Sequence, residues 1–78
     1  MNELDCVKLI KPFKELKVGT KGCIVLKYTE NDFEVEFFNE SDETIYIYTI
    51  SRDYLDVYWT PKDGYLNKNY NFVVILSP

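Results

Sequence analysis

Two glycines three residues apart, Gly19 and Gly22, stand directly before Cys23-Ile24-Val25-Leu26-Lys27-Tyr28, a run of apolar and β-branched residues. Glycine tolerates positive φ and lets another backbone come close, so the pair predicts a tight turn feeding a strand. Period-two alternation puts Cys23 and Val25 on one face of that strand and Ile24 and Leu26 on the other. A strand that is apolar on both faces belongs in the middle of a small rolled-up sheet. One face meets the core, and a loop or a partner covers the other. The segments on either side must then be short enough to return beside it.

The remaining runs fit that requirement. Residues 4–10 read as a first strand, with Leu4, Cys6 and either Leu9 or Ile10 facing in and Asp5 and Lys8 facing out. Pro12 ends it, because proline gives a ladder no donor. Phe13 to Val18 form a loop, with Leu16 and Val18 tucked toward the core and Lys14 and Lys17 in solvent. Thr29-Glu30-Asn31-Asp32 has turn composition. Phe33-Glu34-Val35-Glu36-Phe37 alternates strictly, placing Phe33, Val35 and Phe37 on a buried face. Asn39–Glu43 is a polar hairpin loop. Thr44–Ile50 is a fourth strand, with Ile45 and Ile47 on one face and Tyr46 and Tyr48 on the other. Ser51–Leu55 suits a single helical turn with Ser51 as N-cap and Asp53 in the first turn. Asp56–Trp59 is a fifth strand, Thr60–Gly64 a turn, and Asn71–Leu76 a last strand that is apolar on both faces.

No window carries helical periodicity, so the fold class is all-β. The architecture expected is a small antiparallel SH3-like barrel of five strands with a C-terminal extra strand. The 78 residues make one domain, 1–78, of which 57–78 form a C-terminal extension with the added strand. A chain this short buries only about 60% of its unfolded surface. Seven Tyr and five Phe supply the large side chains that such a core needs.

Nothing in the chain is long and apolar enough for a transmembrane helix, and the start lacks the pattern of a signal peptide. The expected location is cytoplasmic, with no membrane contact. The two cysteines, Cys6 and Cys23, read as buried thiols, although a disulfide between the first two strands is geometrically conceivable. With no histidine, two thiols do not make a usual structural zinc site. The chain also lacks a P-loop, a dinucleotide fingerprint and an EF-hand, and therefore no metal or cofactor is expected. Acid–base or nucleophilic chemistry needs a histidine, an activated cysteine or converging carboxylates, so the chain does not read as an enzyme.

Charge is unevenly placed around a net −4. Across residues 8–27, Lys8, Lys11, Lys14, Lys17, Lys21 and Lys27 face only Glu15. Across residues 30–56, Glu30, Asp32, Glu34, Glu36, Glu40, Asp42, Glu43, Asp53 and Asp56 face only Arg52. The acidic balance argues against nucleic acid as main ligand, with local RNA contact left to the lysines. The candidate partner-binding surface is Glu34, Glu36, Glu40, Asp42, Glu43, Tyr46 and Tyr48, extended by Asp53 and Asp56. If the third and fourth strands bury Val35, Phe37, Ile45 and Ile47, then Glu34, Glu36, Tyr46 and Tyr48 share the outer face. Tyrosines ringed by carboxylates select a basic protein. The competing reading is that Phe72–Leu76 covers these tyrosines as a second small core.

The order Leu4-Asp5-Cys6-Val7-Lys8-Leu9, then Leu16-Lys17-Val18-Gly19-Thr20-Lys21-Gly22-Cys23-Ile24-Val25, then Phe33-Glu34-Val35-Glu36-Phe37-Phe38 and Glu43-Thr44 resembles a small bacterial family of domain-of-unknown-function proteins with an SH3-like barrel. The resemblance covers about residues 3–57 and leaves Tyr58 to Pro78 outside. Members of that family often accompany polymorphic toxin domains. The resemblance therefore implies an immunity protein that binds and neutralises a cognate toxin, such as a nuclease, by blocking its active site. The motif residues are structural, so no functional residue carries over. The alternative expectation is an SH3-like adaptor or RNA–protein assembly module that uses an aromatic groove or the lysine stretch.

Overall fold

The computed structural model describes residues 1–62. Its strands are β1 (Cys6–Leu9), β2 (Lys21–Lys27), β3 (Asp32–Phe38), β4 (Thr44–Ser51) and β5 (Leu55–Trp59), with a 3-10 turn at Arg52–Tyr54 between the last two. All pairings are antiparallel, in one sheet of order β4-β3-β2-β1-β5. Bulges interrupt the β2–β3, β1–β5 and β3–β4 ladders. An extra residue on one strand bends it and increases its twist, which is how so short a sheet curls round a core. No ladder joins β4 to β5 among the described residues, so the result is an open SH3-like β-domain. The turn expected at 60–64 is described only as far as Lys62, and the last strand, 71–76, lies outside the described residues.

The core is Val7 and Leu9 of β1, Ile24 of β2, Phe33, Val35 and Phe37 of β3, Ile50 of β4 and Leu55 of β5, closed by Leu16 from the β1–β2 loop. Phe33, Phe37, Leu9, Ile24, Val7 and Val35 are fully buried. At roughly 1.5–3 kcal/mol for each such side chain, β3 contributes the largest share, with three of the six. The alternation read in β3 is therefore the pattern that fixes the sheet's inner face.

Both glycines have the roles their spacing predicts. Gly19 has φ +92° in open space. Gly22 is buried against β3, and a Cβ there would lie 2.6 Å from the Glu36 carbonyl oxygen and 2.9 Å from a Val35 methyl. Ser51 caps the 3-10 turn, its hydroxyl accepting from the Asp53 N–H at 3.3 Å. Thr29 shapes the β2–β3 turn, its hydroxyl oxygen accepting from the N–H groups of Asn31 and Asp32, each at 3.0 Å.

Three expectations are corrected. In β1 the inward set is Val7 and Leu9, while Leu4 and Ile10 are exposed, Cys6 is half-buried and Asp5 is buried. Leu4 takes φ +75° just before the strand, and the Asp5 carboxylate accepts from the Asn2 N–H at 2.8 Å. That bond satisfies a carboxylate at a buried position and fixes the phase that turns Val7 and Leu9 inward, with Leu9 as expected and Leu4 and Cys6 not. Val18 does not tuck under its loop with Leu16 but is 54% exposed. In β4 the faces are exchanged. Val35 pairs with Tyr48 and Phe37 with Tyr46, so both tyrosines share the core side, while Ile47 pairs with Glu36 and points outward. The phase follows from Ile50, which is buried opposite Phe33.

Candidate functional site

The register of all five strands builds one row across the outer face. Trp59, Cys6, Cys23, Glu36 and Ile47 are successive cross-strand neighbours. A second row runs Leu26, Glu34, Thr49. The bulge near Val25 creates this row. Strict alternation from buried Ile24 would turn Leu26 inward, and the extra residue returns it to the outer face beside Glu34. Ile47 is 55% exposed, and Leu26, Ile45 and Val25 are exposed close to it in sequence and strand order.

The carboxylates of this face are held in place. Glu34 accepts from the Tyr28 hydroxyl at 2.7 Å, which pushes the Tyr28 phenol above its ordinary pKa. Glu36 accepts from the Thr44 hydroxyl at 2.8 Å. Both are half-buried rather than fully solvated, because apolar neighbours flank them across the strands. The adjoining β3–β4 loop is built on Asn39. Its side-chain oxygen accepts from the N–H groups of Ser41 at 2.8 Å and Glu43 at 3.0 Å, and its amide donates to the Glu43 carboxylate at 3.0 Å. Asp42 takes φ +63° in this loop. Glu40 and Asp42 make no ion pair among the described residues, where Lys27–Glu30 is the one salt bridge. The loop therefore sets negative charge beside the apolar outer face.

Tyr46 and Tyr48 lie elsewhere, and the expected four-residue surface is split by the sheet. Their rings stack at 5.4 Å. Phe13 of the β1–β2 loop meets Tyr48 edge-on at 5.5 Å and Tyr54 at 5.2 Å. The Lys14 ammonium lies 5.4 Å from the centre of the Tyr48 ring, and that of Lys11 lies 5.0 Å from the centre of the Tyr54 ring. The Tyr48 hydroxyl donates to the Glu15 carboxylate, which pushes its pKa up to about 12. These contacts fasten the long loop over the sheet margin, and the aromatic cluster carries lysines where the outer face carries carboxylates. Asp53 and Asp56 are exposed, in the 3-10 turn and in β5 opposite Lys8.

The residues that periodicity missed are Leu26, Ile45 and Ile47. The buried Ile50, paired with Phe33, was the signal that could have placed Ile47 outward. A groove continues the outer face past the cysteines, lined by Leu4, Cys6, Cys23, Ile45, Tyr58 and Trp59. Among the described residues no group of three or more His, Cys, Asp or Glu is arranged to hold a metal, and no helix is long and apolar enough to cross a membrane.

Fold and outer face together define a small SH3-like β-domain with an apolar, carboxylate-bearing sheet surface. The chain belongs to the family described as Domain of unknown function (DUF4926), whose model matches residues 3–57. No curated protein and no solved structure matches it.

Proposed function

We propose that this protein acts by binding a basic protein partner through the outer face of β2, β3 and β4, and that the partner is a cognate bacterial toxin domain which it neutralises in the cytoplasm as an immunity protein. A nuclease is the toxin class whose charge suits the face, since a nuclease carries positive potential to hold phosphates. One observation carries the reading: exposed Ile47 lies directly across from half-buried Glu36, beside the Leu26–Glu34 pair. An apolar centre suits an interface core, carboxylates around it suit the polar rim, and the acidic loop beside it steers a basic partner. Binding that occludes an active site requires no chemistry from this chain. Glu40 and Asp42 serve as rim charges, which set association rate more than residence time.

The lysine-topped aromatic cluster of Phe13, Tyr48 and Tyr54 favours a second reading, an adaptor or RNA–protein assembly module that uses the other side of the sheet. Co-expression with the product of the adjacent open reading frame separates the two. The immunity reading expects a neighbour with a toxic C-terminal domain, whose growth arrest this chain relieves by forming a stable complex. A ribosomal or RNA-processing neighbour, with no arrest to relieve, favours the adaptor.

A further inference from the structure

Cys6 of β1 and Cys23 of β2 are direct cross-strand partners. The backbone bonds on their flanks run from the Ile24 N–H to the Asp5 carbonyl and from the Leu4 N–H to the Ile24 carbonyl, so the two cysteines do not exchange hydrogen bonds with each other. They occupy a non-hydrogen-bonded site of an antiparallel ladder, where opposing Cα atoms lie about 4.5 Å apart and side chains come closest. That spacing falls inside the range that a disulfide spans, roughly 4.4–6.8 Å between Cα atoms. Residues directly opposite in a ladder turn their side chains to the same face, so both thiols lie on one side of the sheet, where the Cys23 thiol donates to the Ile24 carbonyl at 3.9 Å. Both are free in the structure.

We propose that Cys6 and Cys23 form a reversible dithiol–disulfide couple across β1 and β2, oxidised by a low-molecular-weight disulfide such as glutathione disulfide. Cys6 is the attacking thiol. It is half-buried at the groove, whereas Cys23 is buried. Burial raises both thiols, but the Tyr58 hydroxyl near Cys6 favours its thiolate, while Cys23 is pushed up to about 11. The Cys6 thiolate attacks one sulfur of glutathione disulfide. A Cys6–glutathione bond forms, the sulfur–sulfur bond of the reagent breaks, and one glutathione thiolate leaves. Cys23 gives up its proton and attacks the Cys6 sulfur, which releases the second glutathione as thiolate. The two protein thiols are oxidised, one glutathione disulfide is reduced to two glutathiones, and the two protons end on the released thiolates. The cross-link lies in the same row as Glu36, so the modification is made on the outer face itself. This inference does not rest on the partner-binding reading.

The test uses the full chain, reduced, freed of reductant and incubated folded with excess glutathione disulfide, then alkylated and weighed intact. The expected product is a monomer lighter by two hydrogens, with neither thiol alkylated and a peptide map joining Cys6 to Cys23. Dithiothreitol restores both thiols, and circular dichroism shows strand throughout. Cys23→Ser stops at one glutathione on Cys6, and Cys6→Ser stays unmodified. The wild-type result alone decides if either variant fails to fold. The proposal is overturned if both thiols survive in the folded protein while a urea-unfolded sample oxidises. A lasting glutathione adduct on wild-type Cys6, or a dimer linked through Cys6, overturns it as well.

Discussion

The two glycines do different work, and the difference is measurable. At Gly22 a methyl group would lie within 3 Å of backbone and side-chain atoms of β3, so the strands must part. Overpacking of this kind costs about 2 kcal/mol or more. At Gly19 the space is open and only the positive φ is strained, at about 1 kcal/mol. Chemical denaturation should therefore rank Gly22→Ala as clearly less stable than Gly19→Ala. Equal losses would mean that close strand approach is not what Gly22 supplies. Gly22 was legible in the sequence because spacing and the following strand named its role. Asp5 was not, because a charged residue between apolar ones reads as outward-facing until its Asn2 partner is seen.

For β1 and β4, period two gave two self-consistent phases, and a one-residue slip moves every side chain to the other face. The existence and order of the strands were legible because each run is short and bounded by turn chemistry. The face was legible in β3, where charged and aromatic residues alternate, and ambiguous in β4, where isoleucines and tyrosines alternate and both are good strand residues. The bulge near Val25 left no sequence mark at all. The candidate site was thus half-read: the carboxylates of β3 lie where alternation put them, and their apolar companions were assigned to the wrong face. The β4 assignment has its own test. Ile47→Thr should change stability by about 0.5 kcal/mol at most, as at an exposed strand position. Tyr48→Thr should cost about 2 kcal/mol, because it removes a ring packed on the core and on Phe13. The opposite ranking in denaturant titrations would restore the inverted phase.

Among the described residues, both sides of the sheet carry charge: Glu15 bonds Tyr48 on the aromatic side, and Lys17 and Lys21 line the groove with Glu40 and Asp42. Lys11 and Lys14 sit on the aromatic side, and Glu34, Glu36, Glu40 and Asp42 sit on or beside the outer face. The fold also sets a response to alkali. Cys23 is raised from 9.0 to about 11 by burial, and Tyr48 from 10.0 to about 12 by its bond to Glu15. Groups raised in the folded state contribute stability that is complete below their unfolded values and is lost as pH climbs toward the folded ones. Thermal midpoints should hold up to about pH 9 and fall progressively from there to about pH 12. Cys23→Ala should flatten the first part of the decline and Glu15→Gln the last. A midpoint that stays level above pH 9 would contradict both assignments.

The central claim, that the outer face is the binding surface, is tested most directly by calorimetric affinity for the basic partner, measured on two charge-reversed variants at low and moderate salt. Glu34→Lys with Glu36→Lys should weaken binding by at least about tenfold, or roughly 1.4 kcal/mol. Its thermal midpoint should fall only slightly, since each change removes one surface hydrogen bond. Lys11→Glu with Lys14→Glu, on the aromatic side, should leave affinity within about twofold. If the lysine variant loses binding and the glutamate variant keeps it, the partner docks on the aromatic side and the outer face is not the binding surface.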